Sequence, residues 1–356
     1  KGGAVRLTLD PAAQKAAYDG LAGRTGAVVA IDPRTGAILA LASSPSFDPN
    51  VLSSHQPAKI RAAYDAYSAD PAQPLLNRPL VMALPPGSTF KLVTAAAALE
   101  SGRYTPATVV PGPASLKLPN TTKELRNWSG TACGPDSKTT LANALAVSCN
   151  TAFASIGLDL GADALRTQAE KFGWGTSFEI PLRSATSRFP GDPDLPQTAM
   201  SAIGQFDVTA TALQMALVGA GIADNGQVMY PYLVSQTLSP ELEVLQNAEP
   251  REFSQAMTPA NAAAELAMMV AVVEQGTGSN ARIPGVVVGG KTGTAQTAPG
   301  QPPHAWFVGV APAGVPGQAS VAVAVVLQNG GGAAEISGNR LAAPIAKSVM
   351  EAVLRR

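Results

Sequence analysis

At 356 residues and 46% hydrophobic content, the chain has ample apolar material for one large domain or two ordinary ones. Lys+Arg and Asp+Glu balance at 25 each, so the formal charge is zero, and no basic block points to nucleic acid or an anionic membrane surface. The longest apolar stretch, around Ala262 to Val273, is interrupted by Glu265 and falls short of the roughly 18–20 apolar residues that span a bilayer. The chain opens Lys1-Gly2-Gly3 with no signal-type segment after it, as expected of a sequence whose targeting or anchoring region lies elsewhere.

In chain order, Ala27-Val28-Val29-Ala30-Ile31, a turn at Asp32-Pro33-Arg34-Thr35-Gly36 and Ala37-Ile38-Leu39-Ala40-Leu41-Ala42 predict a β-hairpin of buried strands. Leu92, Ala95, Ala96 and Leu99 recur at helical spacing after Pro85-Pro86-Gly87, with Gly102 as a stop, so a buried helix is expected to start near Ser88. Helical periodicity returns over Thr140 to Ala146, Thr151 to Leu158, Ala162 to Phe172 and Ala210 to Ala223. Short apolar runs bounded by Gly or Pro predict strands at Val286 to Thr294, Ala305 to Ala311 and Ser320 to Leu327. Ala342 to Leu354 reads as an amphipathic helix able to cover one sheet face. This order implies a sheet assembled from both ends of the chain, with a helical region inserted. The Pro- and Gly-rich segments Phe189 to Gln197 and Ala298 to Pro303 read as loops, the second a candidate rim beside the strand it follows.

Three short patterns carry the chemistry. Ser88-Thr89-Phe90-Lys91 is the only Ser-x-x-Lys, and Lys291-Thr292-Gly293, followed by Thr294, is the only Lys-Thr-Gly. Ser148-Cys149-Asn150 lies between them, whereas a second Ser-x-Asn, Ser337-Gly338-Asn339, does not. A serine hydroxyl is a poor nucleophile until a base takes its proton. His55 and His304 are the only histidines and fit surface or structural roles, so a lysine is the candidate base. If Ser88 opens a helix, Lys91 sits about one turn on and shares its face. To act near neutrality its pKa must fall by about 3 units, which burial beside Phe90 and Leu92 and the charge of Lys291 can supply together.

Ser148 and Asn150, between helical segments, are expected in a turn facing the same cleft. The hydroxyl there can pass a proton between Lys91 and a leaving amine, and the carboxamide can hold a substrate amide. Gly289 to Thr294 ends a Val-rich run whose glycines predict close approach by another backbone. It is a candidate edge for an extended peptide, whose terminal carboxylate would meet Lys291 and the hydroxyls of Thr292 or Thr294. The N–H groups of Ser88 and Thr294 would face an oxyanion. Taken alone each pattern has a blander reading: an exposed lysine at a helix start, a helix cap, a glycine-rich turn. No Cys/His spacing or phosphate-cradling loop asks for a metal or cofactor. Cys133 and Cys149, the only cysteines, are open to two readings, small buried side chains or a disulfide.

The set of patterns is the signature of penicillin-binding proteins and class A β-lactamases, with Asp where Cys149 stands here. Along nearly all its length the chain resembles the transpeptidase domain of the class B penicillin-binding proteins, of the division-associated actinobacterial type. Gly26 to Pro33 through Ser44 to Asn50 looks like the family's opening hairpin, and Pro85 to Lys91 like its nucleophile segment. Ser201-Ala202-Ile203-Gly204-Gln205, Ala212-Leu213-Gln214-Met215 and His304-Ala305-Trp306-Phe307 are similar to family sequence. The resemblance implies an α/β (α+β) fold of the penicillin-binding/serine β-lactamase-like transpeptidase type: an antiparallel sheet flanked by helices plus a helical subdomain. Residues 1–20 would be a lead-in from an N-terminal anchor and pedestal region, and residues 21–356 the transpeptidase domain, with the helical insertion at about 91–205.

Carried over by motif, Ser88 is the acylated nucleophile, Lys91 its base, Ser148 the proton relay and Asn150 a substrate ligand. Lys291, Thr292, Gly293 and Thr294 form the carboxylate clamp. The implied substrate is the peptidoglycan stem peptide ending in D-Ala-D-Ala, and β-lactams would acylate Ser88 as mimics of that end. The protein would be anchored at the extracytoplasmic face of the cell membrane, leaving glycan polymerisation to a partner glycosyltransferase among other division proteins. No cofactor and no nucleic acid enter this reading. Export favours a Cys133–Cys149 disulfide, contributing about 3 kcal/mol in the chain-entropy picture. Three readings compete: a D,D-carboxypeptidase or β-lactamase, for which no water-activating glutamate motif stands out; a β-lactam sensor domain without turnover; and a division scaffold with a vestigial site.

Overall fold

The computed structural model describes residues 2–297, 300–333 and 335–355, so Ala298 and Pro299 of the second expected loop lie outside the described residues. Strand β1 (Ala4–Leu7) and helix α1 (Pro11–Leu21) precede the hairpin of β2 (Gly26–Ile31) and β3 (Ile38–Ser44). Helix α2 (Lys91–Glu100) enters the inserted region, where a small hairpin of β4 (Ser115–Lys117) and β5 (Glu124–Arg126) comes first. Helices α3 (Leu141–Ala146), α4 (Asn150–Leu160), α5 (Ala162–Lys171) and α6 (Leu195–Ser201) follow. Helix α7 (Ala212–Ala223), strands β6 (Val234–Leu238) and β7 (Val244–Asn247) and helix α8 (Pro259–Glu274) come next. Strands β8 (Gly289–Ala295), β9 (His304–Ala311) and β10 (Val321–Leu327) and helix α9 (Ala343–Leu354) then complete the main elements.

The central sheet runs β8-β9-β10-β2-β3 and is antiparallel throughout, pairing β10 with β2 so that the two ends of the chain meet as their apolar runs predict. Strand β10 is apolar without alternation because both sheet faces are covered. Ala322, Ala324 and Val326 join the core of α7 and α8, while Val321, Val323, Val325 and Leu327 join that of α1 and α9. Each valine- or leucine-sized side chain removed from water in this way contributes about 1.5–3 kcal/mol. The first core continues through α2, α3 and α4, which ties the inserted region firmly to the sheet.

Helix α1, which falls within the 1–20 expected as a lead-in except for Leu21, packs into this body. Asp10 caps α1 by accepting from Ala13 N–H, and the helix buries Ala13, Ala17 and Leu21 in the same core as α9. Gln14 covers the outer edge of β3, its Nε2 donating to Leu41 O at 3.1 Å and its Oε1 accepting from Leu41 N at 2.7 Å. One sheet edge is therefore closed. At the other, no strand lies beside β8 among the described residues, and an open strand edge is a ready template for an added peptide.

Some sequence expectations are corrected. The last turn before β8 is not strand: Ile283 and Val286 bridge across a tight turn, so the ladder begins at Gly289 instead of Val286. The segment read as a loop to Gln197 already contains the start of α6, fixed by a capping box between Asp194 and Gln197. The insertion expected as helical also carries two small antiparallel strand pairs, Val109–Pro111 with Lys138–Thr140 and, between them in sequence, β4 with β5.

Candidate active site

Ser88 lies in a 3-10 turn, Gly87–Phe90, that runs directly into α2. Gly87 holds φ +53°, and a Cβ there would stand 2.9 Å from Ala295 Cα, so glycine is what lets this turn lie against the end of β8. A Cβ on Gly293 would in turn meet Pro86 O at 3.0 Å. The close backbone approach predicted from the glycines of β8 is thus that of the Pro86–Gly87 segment before Ser88. Three hydrogen bonds pin the turn: Gly87 N–H to Gly204 O at 2.9 Å, Trp306 Nε1–H to Pro85 O at 3.0 Å, and Thr89 Oγ1–H to Pro86 O at 2.8 Å.

Lys91 opens α2 and is fully buried. Its Nζ donates to Ser148 O at 2.7 Å and Asn150 Oδ1 at 2.8 Å, and lies 3.2 Å from Ser148 Oγ. Lys291, equally buried on β8, donates to Ser148 Oγ at 2.8 Å and to Thr292 O at 3.0 Å. Burial, with the charge of Lys291 second, holds Lys91 well below the ordinary lysine value, and burial pushes Lys291 down to about 7. A neutral amine has two hydrogens and one lone pair. Ser148 O and Asn150 Oδ1 take both hydrogens of neutral Lys91, which leaves its lone pair for a hydroxyl. Once Lys91 has taken a proton, its third hydrogen can reach Ser148 Oγ, which also accepts from Lys291 and keeps its own hydrogen to pass on.

The turn that presents Ser148 is strained and held. Ser148 adopts φ +59°, while Cys149 caps α4, donates its N–H to Ala144 O at 2.8 Å and is disulfide-bonded to Cys133. Asn127, following β5, accepts from Thr151 N–H at 3.1 Å and donates from Nδ2 to Pro113 O and Thr131 O, both at 2.9 Å. Its neighbour Arg126 offers a carbonyl to Asn150 Nδ2–H at 3.0 Å, so the carboxamide is clamped at both ends.

The predicted residues Lys91, Ser148, Asn150 and Lys291 thus share one hydrogen-bonded cluster, with Ser88 one turn from Lys91 and the Gly293–Thr294 end of β8 against its turn. The buried Thr292 hydroxyl lies 2.7 Å from that of Thr277. Ser337-Gly338-Asn339 stays outside the cluster: Asn339 Oδ1 accepts from Asn280 N–H at 2.9 Å. His55 is exposed, and His304, pushed down to about 4 by burial, accepts from Asn329 N–H at 3.0 Å. Neither joins the chemistry. Among the described residues no three His, Cys, Asp or Glu side chains gather as a metal site. Asn127 and Thr277 were missed by sequence reasoning. Only the glycines flanking Thr277 signalled a special backbone, and nothing local marked Asn127.

The description "Penicillin binding protein transpeptidase domain" matches residues 26–351, and the chain belongs to this family, whose helix-flanked antiparallel sheet it shares. It is 42% identical to the peptidoglycan D,D-transpeptidase PbpA of Mycolicibacterium smegmatis over 100% of this chain and 73% of that protein. Penicillin-binding protein A from M. tuberculosis, solved as its penicillin G acyl-enzyme complex, superposes with a TM-score of 0.93 at 40% identity, covering 99% of this chain and 81% of that one. Its ceftriaxone acyl-enzyme complex superposes at 0.94, again at 40% identity, over 99% of this chain and 80% of the other.

Proposed function

We infer that this protein is a D,D-transpeptidase that cross-links peptidoglycan stem peptides through an acyl-enzyme on Ser88, and that β-lactams acylate the same serine. The observation that carries the reading is the Ser148 hydroxyl held between two buried lysine amines beside an open sheet edge. An extended peptide ending in D-Ala-D-Ala pairs with β8, its carboxylate against Lys291, Thr292 and Thr294, its amide on Asn150. Ser88 Oγ attacks the penultimate carbonyl carbon as Lys91 Nζ takes the hydroxyl proton. The N–H groups of Ser88 and Thr294 hold the oxyanion, where each donor is worth about 3–4 kcal/mol of barrier. When the C–N bond breaks, the departing D-Ala amine gains a proton relayed from Lys91 through Ser148. An acceptor amine then attacks the ester, returns its proton along the same path and frees Ser88.

The work site is the peptidoglycan, outside the cytoplasm. A membrane anchor N-terminal to the domain, a separate glycosyltransferase and other division proteins complete the reading, as the family resemblance implies. Among the described residues no helix is long and apolar enough to cross a membrane.

Intact mass followed after adding penicillin G, with Ser88→Ala alongside, tests the acylation step. A persistent adduct confined to the unsubstituted protein is expected, and no adduct on folded protein would sink the assignment. Rapid return to free enzyme with hydrolysed drug would instead mark a β-lactamase. Turnover of a D-Ala-ending thioester onto a D-amino acid then separates a transpeptidase from a sensor.

A further inference from the structure

Thr277 lies in the Gly276-Thr277-Gly278 turn after α8, outside all three motifs. Its Oγ1 is 2.7 Å from Thr292 Oγ1 on β8, and its backbone N–H donates to Ala146 O at 3.1 Å, the last residue of the helix α3 that leads to Ser148. A Cβ on Gly276 would stand 2.1 Å from that same carbonyl oxygen, so the approach requires glycine. Gly278 N–H donates to Val272 O at 2.9 Å, closing the turn onto α8. The turn therefore ties the strand of the carboxylate clamp to the segment that presents the proton relay.

We propose that Thr277 is a positioning residue for carboxylate recognition, donating its hydroxyl hydrogen to Thr292 Oγ1 so that the Thr292 O–H faces the terminal carboxylate of the peptide or of a β-lactam. The inference rests on the clamp role assigned to Thr292 above. A hydroxyl has a single hydrogen. Were Thr292 the donor, that hydrogen would be spent on Thr277 and a lone pair would face the incoming anion, so a bound carboxylate selects the opposite polarity. Donation from Thr277 also polarises the Thr292 O–H, strengthening the hydrogen bond it makes to the anion.

The test compares acylation rate constants for a carboxylate-bearing penicillin and its methyl ester, using Thr277→Val, Thr277→Ser, Thr292→Val and the Thr277→Val/Thr292→Val double variant. Thr277→Val should slow the carboxylate ligand about five- to tenfold, leave the ester within about twofold and be rescued by Thr277→Ser. The double variant should be no slower than Thr292→Val alone, since the two hydroxyls act as one unit. Equal slowing of both ligands by Thr277→Val means a merely structural role and overturns the proposal, as do additive losses in the double variant. A silent Thr277→Val beside a slow Thr292→Val refutes the positioning role alone. A silent Thr292→Val refutes the clamp reading beneath it.

Discussion

Replacing the Cys133–Cys149 disulfide with the Cys133→Ser/Cys149→Ser double variant should weaken the fold and slow acylation together. The bridge spans a sequence separation of 16, for which loop-closure entropy amounts to about 3 kcal/mol. Its reach into the site runs through Cys149, which is buried between Ser148 and Asn150. The φ of +59° at Ser148 is a left-handed conformation, and for an ordinary L-residue it costs about 1–2 kcal/mol relative to relaxed backbone. With the bridge gone, that strain favours a relaxed turn in which Ser148 Oγ no longer lies between Lys91 and Lys291. A bias of this size leaves about a tenth of molecules competent, so acylation should slow about tenfold, less whatever the Asn127 hydrogen bonds retain. Urea unfolding reads the first effect and an intact-mass time course with penicillin G the second, with circular dichroism confirming that the variant is folded. An unchanged acylation rate in that folded variant would refute the link between bridge and relay. A stability loss well under about 1 kcal/mol would refute the loop-closure magnitude.

Lys91→Arg puts a permanent cation without a free lone pair where a neutral amine is needed, so acylation should fall by at least about a hundredfold in protein shown to be folded, and a near-normal rate would remove Lys91 as the base. Burial pushes Lys291 down to about 7, and in its proposed clamp role it must be charged, so acylation by a carboxylate-bearing penicillin should decline as pH rises above that value. The methyl ester should lack this alkaline limb, and matching pH–rate profiles for the two ligands would exclude the clamp charge as its source. Glu265 on α8 is fully buried, neither of its carboxyl oxygens has a hydrogen-bond partner among the described residues, and burial, then Glu100, raises its pKa well above 4.5. The folded chain therefore holds a proton the unfolded chain releases, a stabilisation complete below the unfolded pKa and lost as pH rises through the folded one. Glu265→Met should remove that slope and add about 1–3 kcal/mol, and a variant less stable than the parent in alkaline urea melts would contradict this.

The legible parts of the molecule were those set by short-range geometry. Ser88 and Lys91 are one turn apart, and the Val-rich runs of β9 and β10 between Gly and Pro left little choice of structure. The burial of Lys91 was foreshadowed by Phe90 and Leu92, and its neighbouring charge by Lys291. What stayed hidden depends on distant partners. Asn127 matters because the chain brings residues 113, 131 and 151 around it, and Thr277 because β8 passes its hydroxyl. Helix α1 carries a local start signal in Asp10-Pro11, yet its place in the domain rests on Gln14 reaching β3. The capping box of α6 was masked by surrounding Pro and Gly, and three-residue strands such as Val109–Pro111 are too short to show a period of two.

Because β10 pairs with β2, the sheet cannot close until residues 321–327 return to a hairpin made near the start of the chain. Ser88 and its helix are synthesised early, but Lys291 arrives on one of the late strands. A nascent, half-folded or C-terminally nicked chain carries Ser88, the proposed nucleophile, without the Lys291 environment proposed to activate it. Labelling by a fluorescent penicillin would accordingly count finished molecules instead of polypeptide. Followed during refolding, it would serve as a clock for sheet closure, the slow long-range event that this strand order places last.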